Sequence, residues 1–186
     1  TIFVRNEGTD AAAYAALAQK ALATGRDLIL ECWDVECAKA ALEVAGKNVI
    51  LDGATPDNWE AMNELATAKG VVLGVSAGSL SDLYDTVKKL EAKGNKNLVV
   101  DVTGKTAKET LANAVLVRRT AIKDGDRTFG YPSIVNLSKI CGGDMHLETA
   151  YAAMFTEKYA SIIVLDNMTY AQALPLYGLR QNIFTD

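Results

Sequence analysis

Gly74, Val75, Ser76, Ala77 and Gly78 spell G-x-S-x-G between an apolar run and a helical pattern, the context in which a serine is presented as a nucleophile. A serine hydroxyl attacks only when a base takes its proton. The sequence holds one histidine, His146, with Asp101 lying between them in chain order. A serine hydrolase at Ser76 is one expectation, set against a plainer one: a tight turn leading into a helix capped by Ser79 or Ser81. Gly104, Lys105 and Thr106 copy the end of a phosphate-binding loop, but Val99 stands where that motif begins with glycine. Without the glycine the backbone cannot wrap a phosphate, so Thr106 is read as a helix cap beside a solvated lysine. Cys32 and Cys37 have the C-x4-C spacing of one [2Fe–2S] class, yet Ala40 replaces the third ligand and only Cys141 remains. Three cysteines and one histidine in distant segments suit zinc no better. Free thiols in a reducing compartment are expected, with no catalytic residue and no metal site assigned.

A more diffuse signal lies at the ends of apolar runs, and its value depends on the elements that would carry it. Seven such runs recur: Ile2 to Val4, Leu28 to Leu30, Val49 to Leu51, Val71 to Val75, Leu98 to Val102, Ser133 to Leu137, and Ile162 to Leu165. Continuous apolar runs of this length are the mark of strands buried on both faces of a parallel sheet. Helical spacing fills the intervals, as in Ala12, Tyr14, Leu17 and Leu22, or Leu80, Leu83, Val87 and Leu90. Gly25, Gly46, Gly70 and Gly94 fall where helices should stop, Thr55-Pro56 where one should start, and Thr106 with Glu109 at capping-box spacing. The irregular stretch Lys123 to Pro132 is expected to be a loop before the sixth strand. The expected fold class is α/β, a parallel (β/α) TIM-type barrel with about seven of eight βα units present, in a single domain spanning residues 1–186. An open doubly wound sheet uses the same units, but Arg5 to Thr9 after the first strand lacks the dinucleotide-binding turn.

A barrel gathers function at the C-terminal ends of its strands. Asn6, Asp52, Asp101, Asn136, Asp166 and Asn167 would meet there, with Glu7, Glu31, Asp34 and Thr103 close by. Carboxylates and amides so placed orient a polar ligand or move protons, and they serve equally well as helix caps. A barrel enzyme acting on a small polar or pterin ligand is the second expectation, and the hydrolase the third.

Composition removes other classes. A net charge of -4 with no basic stripe argues against nucleic acid as a partner. No apolar run approaches the roughly twenty residues of a membrane span, and no signal peptide precedes the first strand, so a cytoplasmic protein is expected. The sequence opens on Thr1 directly into a strand and stops soon after a helical pattern without an eighth strand. A piece of a longer subunit is expected on that ground.

Val4-Arg5-Asn6 at the first strand end, Arg118-Arg119 in the fifth helix and Gly130-Tyr131-Pro132 before the sixth strand resemble one family, as does the stretch from Ala173-Leu174-Pro175-Leu176 through Leu179-Arg180-Gln181-Asn182 to Ile183-Phe184-Thr185-Asp186. They are similar to the large (gamma) subunit of the corrinoid iron–sulfur protein of the acetyl-CoA decarbonylase/synthase system. The resemblance implies a subunit with a cluster-bearing N-terminal domain, a central barrel and a C-terminal cobalamin domain, of which this chain matches the barrel. It implies a methyl group carried on cobalt from a methyl-pterin, through a methyltransferase, to acetyl-CoA synthase in the acetyl-CoA pathway. The small (delta) subunit is the implied partner. Cobalamin and a [4Fe–4S] cluster are implied for the full-length subunit and neither for this segment, whose role would be that of a scaffold.

Overall fold

Each apolar run becomes a strand and each interval of helical spacing a helix. The computed structural model describes residues 1–184, so Thr185 and Asp186 of the resembling stretch lie outside the described residues. The chain divides into two units, Thr1–Val99 and Val100–Asp186.

In the first unit β1 (Ile2–Arg5), β2 (Leu28–Glu31), β3 (Val49–Ala54) and β4 (Val72–Val75) lie side by side in chain order, all parallel. All four residues of β2 are buried, as a strand covered on both faces must be. Helices α1 (Ala11–Leu22), α2 (Val35–Ala45), α3 (Trp59–Lys69) and α4 (Leu80–Ala92) follow the strands in turn. Asp10, Asp34 and Ser79 cap α1, α2 and α4 by accepting first-turn N–H groups. Gly25, Gly46, Gly70 and Gly94 end these helices with positive φ, as their positions predicted.

The second unit takes the end of β5 (Leu98–Asp101), then β6 (Ser133–Asn136) and β7 (Ile162–Val164), again parallel and in chain order. Helices α5 (Ala107–Lys123), α6 (Met145–Glu157) and α7 (Tyr170–Phe184) alternate with them. Thr106 caps α5 and Asp144 caps α6. At α7, Thr169 Oγ1 accepts the Gln172 N–H while Gln172 Oε1 accepts the Thr169 N–H, a complete capping box. Lys123 ends α5, and the rest of the expected loop, to Pro132, is irregular apart from a 3₁₀ turn at Arg127–Phe129.

Three local expectations are corrected. Strand β3 runs three residues further than its apolar core, because Asp52-Gly53-Ala54 continues the pairing through a register shift between Asp52 and Ala54. Thr55-Pro56 does not open α3; Asn58 Oδ1 instead takes the Thr55 N–H (2.7 Å) and hydroxyl (3.0 Å), closing a turn that delays the helix to Trp59. On α1, Tyr14 and Ala18 face inward, leaving Leu17 47% exposed.

Candidate functional site

The strand-end residues of the first unit are held by short side-chain bonds. Asn6 follows β1 and donates from Nδ2 to Cys32 Sγ (3.2 Å), while its Oδ1 accepts the Gly8 N–H (3.2 Å). The Cys32 thiol donates in turn to the Asp34 carbonyl (3.2 Å), and Asp34 Oδ1 accepts the Cys37 N–H (2.8 Å). That backbone hydrogen bond holds the Asp34 carboxyl below its ordinary range. Cys32, Cys37 and Cys141 are free and buried, and burial pushes all three thiols up, away from the reactive thiolate form. Asp52, in β3, is buried against Gly74 of β4, where a Cβ would stand 2.5 Å from Asp52 Oδ1. The first glycine of G-x-S-x-G therefore makes room for a carboxylate.

Beneath these residues the Tyr14 hydroxyl, buried, shares its proton between the carbonyls of Val4 (3.0 Å) and Glu31 (3.1 Å). Burial raises its pKa far above the ordinary tyrosine range. Arg5 Nε reaches the buried Glu31 carboxylate at 3.2 Å. Tyr14→Phe should cost about 1–2 kcal/mol, since two strand-end carbonyls lose a common donor. Urea denaturation would read this as a lower midpoint at unchanged slope; an unaltered midpoint would mean the hydroxyl contributes nothing.

In the second unit Asp101, at the end of β5, accepts the Thr103 N–H at Oδ1 (2.8 Å), and Lys139 Nζ lies 3.8 Å from Oδ2. Asn136 ends β6: its N–H bonds Thr103 Oγ1 (2.8 Å) and its Oδ1 takes the Ser138 hydroxyl (2.6 Å). Asp166 and Asn167 follow β7 and are exposed. Their loop is pinned from inside, because buried Glu148 on α6 accepts the Asp166 N–H at 2.7 Å and Gln172 accepts the Thr169 N–H at 2.9 Å. The structure thus brings Asp101 and Asn136 together within one cluster, with Asp166 and Asn167 on a separate loop of the same unit. Sequence reasoning missed Lys139, Glu148 and Gln172. Lys139 carried a signal, being a cation three residues past a strand end; Glu148 and Gln172 sit at helix positions that read as solvent-facing.

The two sequence motifs resolve into turns and caps. Among the described residues Tyr159 is the one non-glycine with positive φ, so Ser76 lacks the strained geometry of a nucleophile elbow. Its N–H pairs with the Ala54 carbonyl, and His146 is exposed at the start of α6. After β5 the N–H groups a phosphate would need are taken: Gly104 N–H by Thr110 Oγ1 (2.9 Å) and Lys105 N–H by Glu109 Oε2 (2.9 Å). No helix of the described residues is long and apolar enough to cross a membrane.

Parallel βα units in chain order, with polar side chains collected at strand C-terminal ends, define a TIM-like α/β barrel of which seven βα units are present. The dihydropteroate synthase of Thermus thermophilus shares this fold, with a TM-score of 0.70 at 20% identity over 95% of this chain and 81% of that one. The Yersinia pestis dihydropteroate synthase, solved with a pterine–sulfa conjugate, gives 0.69 at 14% identity, covering 97% of this chain and 82% of that one. The chain belongs to the family described as CO dehydrogenase/acetyl-CoA synthase delta subunit, whose model matches residues 1–186. Individual relatives carry the large- or gamma-subunit name. The chain is 37% identical over its whole length to the corrinoid/iron-sulfur protein large subunit of Moorella thermoacetica, and 32% identical to the acetyl-CoA decarbonylase/synthase complex subunit gamma of Methanothermobacter thermautotrophicus. It spans 41% and 43% of those two proteins.

Proposed function

We propose that this chain is the barrel segment of a corrinoid iron–sulfur protein and serves as a scaffold for methyl transfer in the acetyl-CoA pathway. The observation that carries the reading is the end-to-end match to about two fifths of the Moorella large subunit. Residues 1–186 act as one domain of a longer subunit. Cobalamin and the [4Fe–4S] cluster belong to other parts of that subunit, which receives a methyl group from a methyl-pterin-dependent methyltransferase and hands it to acetyl-CoA synthase. Three cysteines fall one short of the four thiolates that a [4Fe–4S] cluster takes, which supports the assignment of the cluster elsewhere. The delta subunit is the docking partner and the cytoplasm the working compartment.

The test is a pair of titrations. Hydroxocobalamin added to this chain should leave the corrinoid absorption spectrum unchanged. Purified delta subunit should form a one-to-one complex tighter than about 1 μM by calorimetry. Stoichiometric cobalamin binding by the chain alone, or no complex with the delta subunit, sinks the scaffold role.

A further inference from the structure

At the N-terminal ends of β6 and β7, the opposite end of these strands from the polar cluster, a cavity of about 590 Å³ opens within the second unit. Small-molecule sites occupy about 300–1,000 Å³, so its size is that of a ligand pocket. Helix α5 supplies one wall. Ala114, Arg118 and Ala121 share a face at i, i+4 and i+7, and the two short side chains leave room on either side of the Arg118 guanidinium. The turn between α6 and β7 supplies the other wall through Lys158, Tyr159, Ala160 and Ser161, and Phe129 adds an aromatic surface.

The turn is strained and its polar groups are unevenly used. Tyr159 holds φ at 76°, a value that a bulky side chain keeps only where its surroundings impose it. Buried Ser133, at the start of β6, imposes it: its hydroxyl donates to the Tyr159 carbonyl (2.9 Å), its N–H to Ser161 Oγ (3.3 Å), and its carbonyl accepts the Ser161 N–H (3.1 Å). Left over are the N–H groups of Tyr159 and Ala160, which have no hydrogen-bond partner among the described residues, and the hydroxyl proton of Ser161. Arg118 and Lys158 form no ion pair among the described residues. Against these donors stand one exposed carboxylate, Glu157, and the weakly negative C-terminal end of α6.

We propose that this cavity binds the phosphate monoester of a small aromatic molecule. The phosphate accepts from the Arg118 guanidinium, the Lys158 ammonium and the adjacent N–H groups of Tyr159 and Ala160. A dianion gains more from two cations, one of them a planar fork that matches phosphate oxygens, than it loses to a single solvated carboxylate. The ring follows from the rest of the wall. A phosphate group alone fills a small part of the space, and what remains is bounded by Ala114, Val117, Ala121 and Phe129, an apolar surface that an aromatic body covers.

Phenyl phosphate, a dianion at about pH 7.5, is the probe, titrated into ¹⁵N-labelled protein while the backbone amides of Tyr159 and Ala160 are followed. The expected result is a saturable shift of both, with Kd on the order of 1 mM for so small a ligand. Inorganic phosphate should bind at the same amides about tenfold more weakly, and phenol should give no saturable shift. Arg118→Gln should weaken phenyl phosphate by about tenfold with an unchanged melting temperature, since the side chain is exposed and unpaired. Glu157→Gln should tighten it by about two- to threefold, the reverse of what a cationic ligand would show. Absence of a saturable shift at Tyr159 and Ala160 overturns the site, and so does unchanged affinity in Arg118→Gln. Binding of phenol as tight as that of phenyl phosphate, or weaker binding in Glu157→Gln, overturns the phosphate. Inorganic phosphate binding as tightly as phenyl phosphate overturns the aromatic body.

Discussion

Gly53→Ala should remove about 3 kcal/mol or more of stability, the top of the range for overpacked interiors. A Cβ at this position would stand 1.9 Å from the Cys32 carbonyl oxygen and 3.0 Å from its carbon. Both are main-chain atoms, and the same segment is tied to β3 by the Cys32 N–H bonding the Asp52 carbonyl at 3.0 Å. No side-chain rotation relieves the overlap, so two strands would have to separate where the register shift lies. For a chain of this size 1 kcal/mol is worth about 2–4 °C, so the melting temperature should fall by about 6 °C or more. Gly78→Ala is the control, because nothing lies within 4 Å of its Cβ position and its φ is outside the left-handed region. Its melting temperature should match that of the parent within about 2 °C. Similar melting of Gly53→Ala and the parent would show that β2 and β3 are not as close as described.

That glycine also marks the limit of what the sequence discloses. Strand-helix alternation was legible because burial on both faces leaves continuous apolar runs, and helix ends were legible at Gly25, Gly46, Gly70 and Gly94 because a left-handed residue is a local requirement. Gly53 follows the apolar run and reads as the start of a loop; only the approach of Cys32, twenty-one positions earlier in the chain, makes it a strand residue. On α1, helical spacing alone counted Leu17 as inward, while α1 packs on α2 and the small residues Ala18 of α1 and Ala38 and Ala41 of α2 are the ones fully buried. The candidate site divides in the same way. Asp101 and Asn136 were visible as polar residues ending apolar runs, whereas the roles of Lys139, Glu148 and Gln172 come from contacts between segments that no spacing rule joins. Motif reading erred in the opposite direction. G-x-S-x-G carries its first glycine for Asp52, and the Gly104 loop spends its N–H groups on Thr110 and Glu109.

Glu148 should set part of the pH dependence of the second unit. Burial raises its pKa above the ordinary 4.5, partly opposed by the hydrogen bond from the Asp166 N–H and reinforced by the nearby Asp166 carboxylate. A carboxyl whose folded pKa lies above the unfolded one holds a proton in the native state that the unfolded chain has released. Its contribution to stability is therefore greatest below about pH 4.5, falls as pH rises through the folded pKa, and stays low above it. Glu148→Gln keeps an oxygen to accept the Asp166 N–H but cannot ionise, so stability should be flatter with pH from about 4.5 upward and at least equal to that of the parent at pH 8. Glu148→Ala removes the acceptor as well. The Asp166 N–H then loses its partner and a gap opens beneath the β7–α7 loop, at a cost of about 1–3 kcal/mol. Thermal melts of the three proteins from pH 4 to pH 8 separate the two effects: a slope change shared by Gln and Ala comes from the charge, and a uniform drop in Ala alone comes from the anchor. The loop responds to the anchor only, so amide exchange at Met168 and Thr169 should quicken in Glu148→Ala and hold in Glu148→Gln. Equal exchange in both variants would mean that Gln172 alone fixes the loop bearing Asp166 and Asn167.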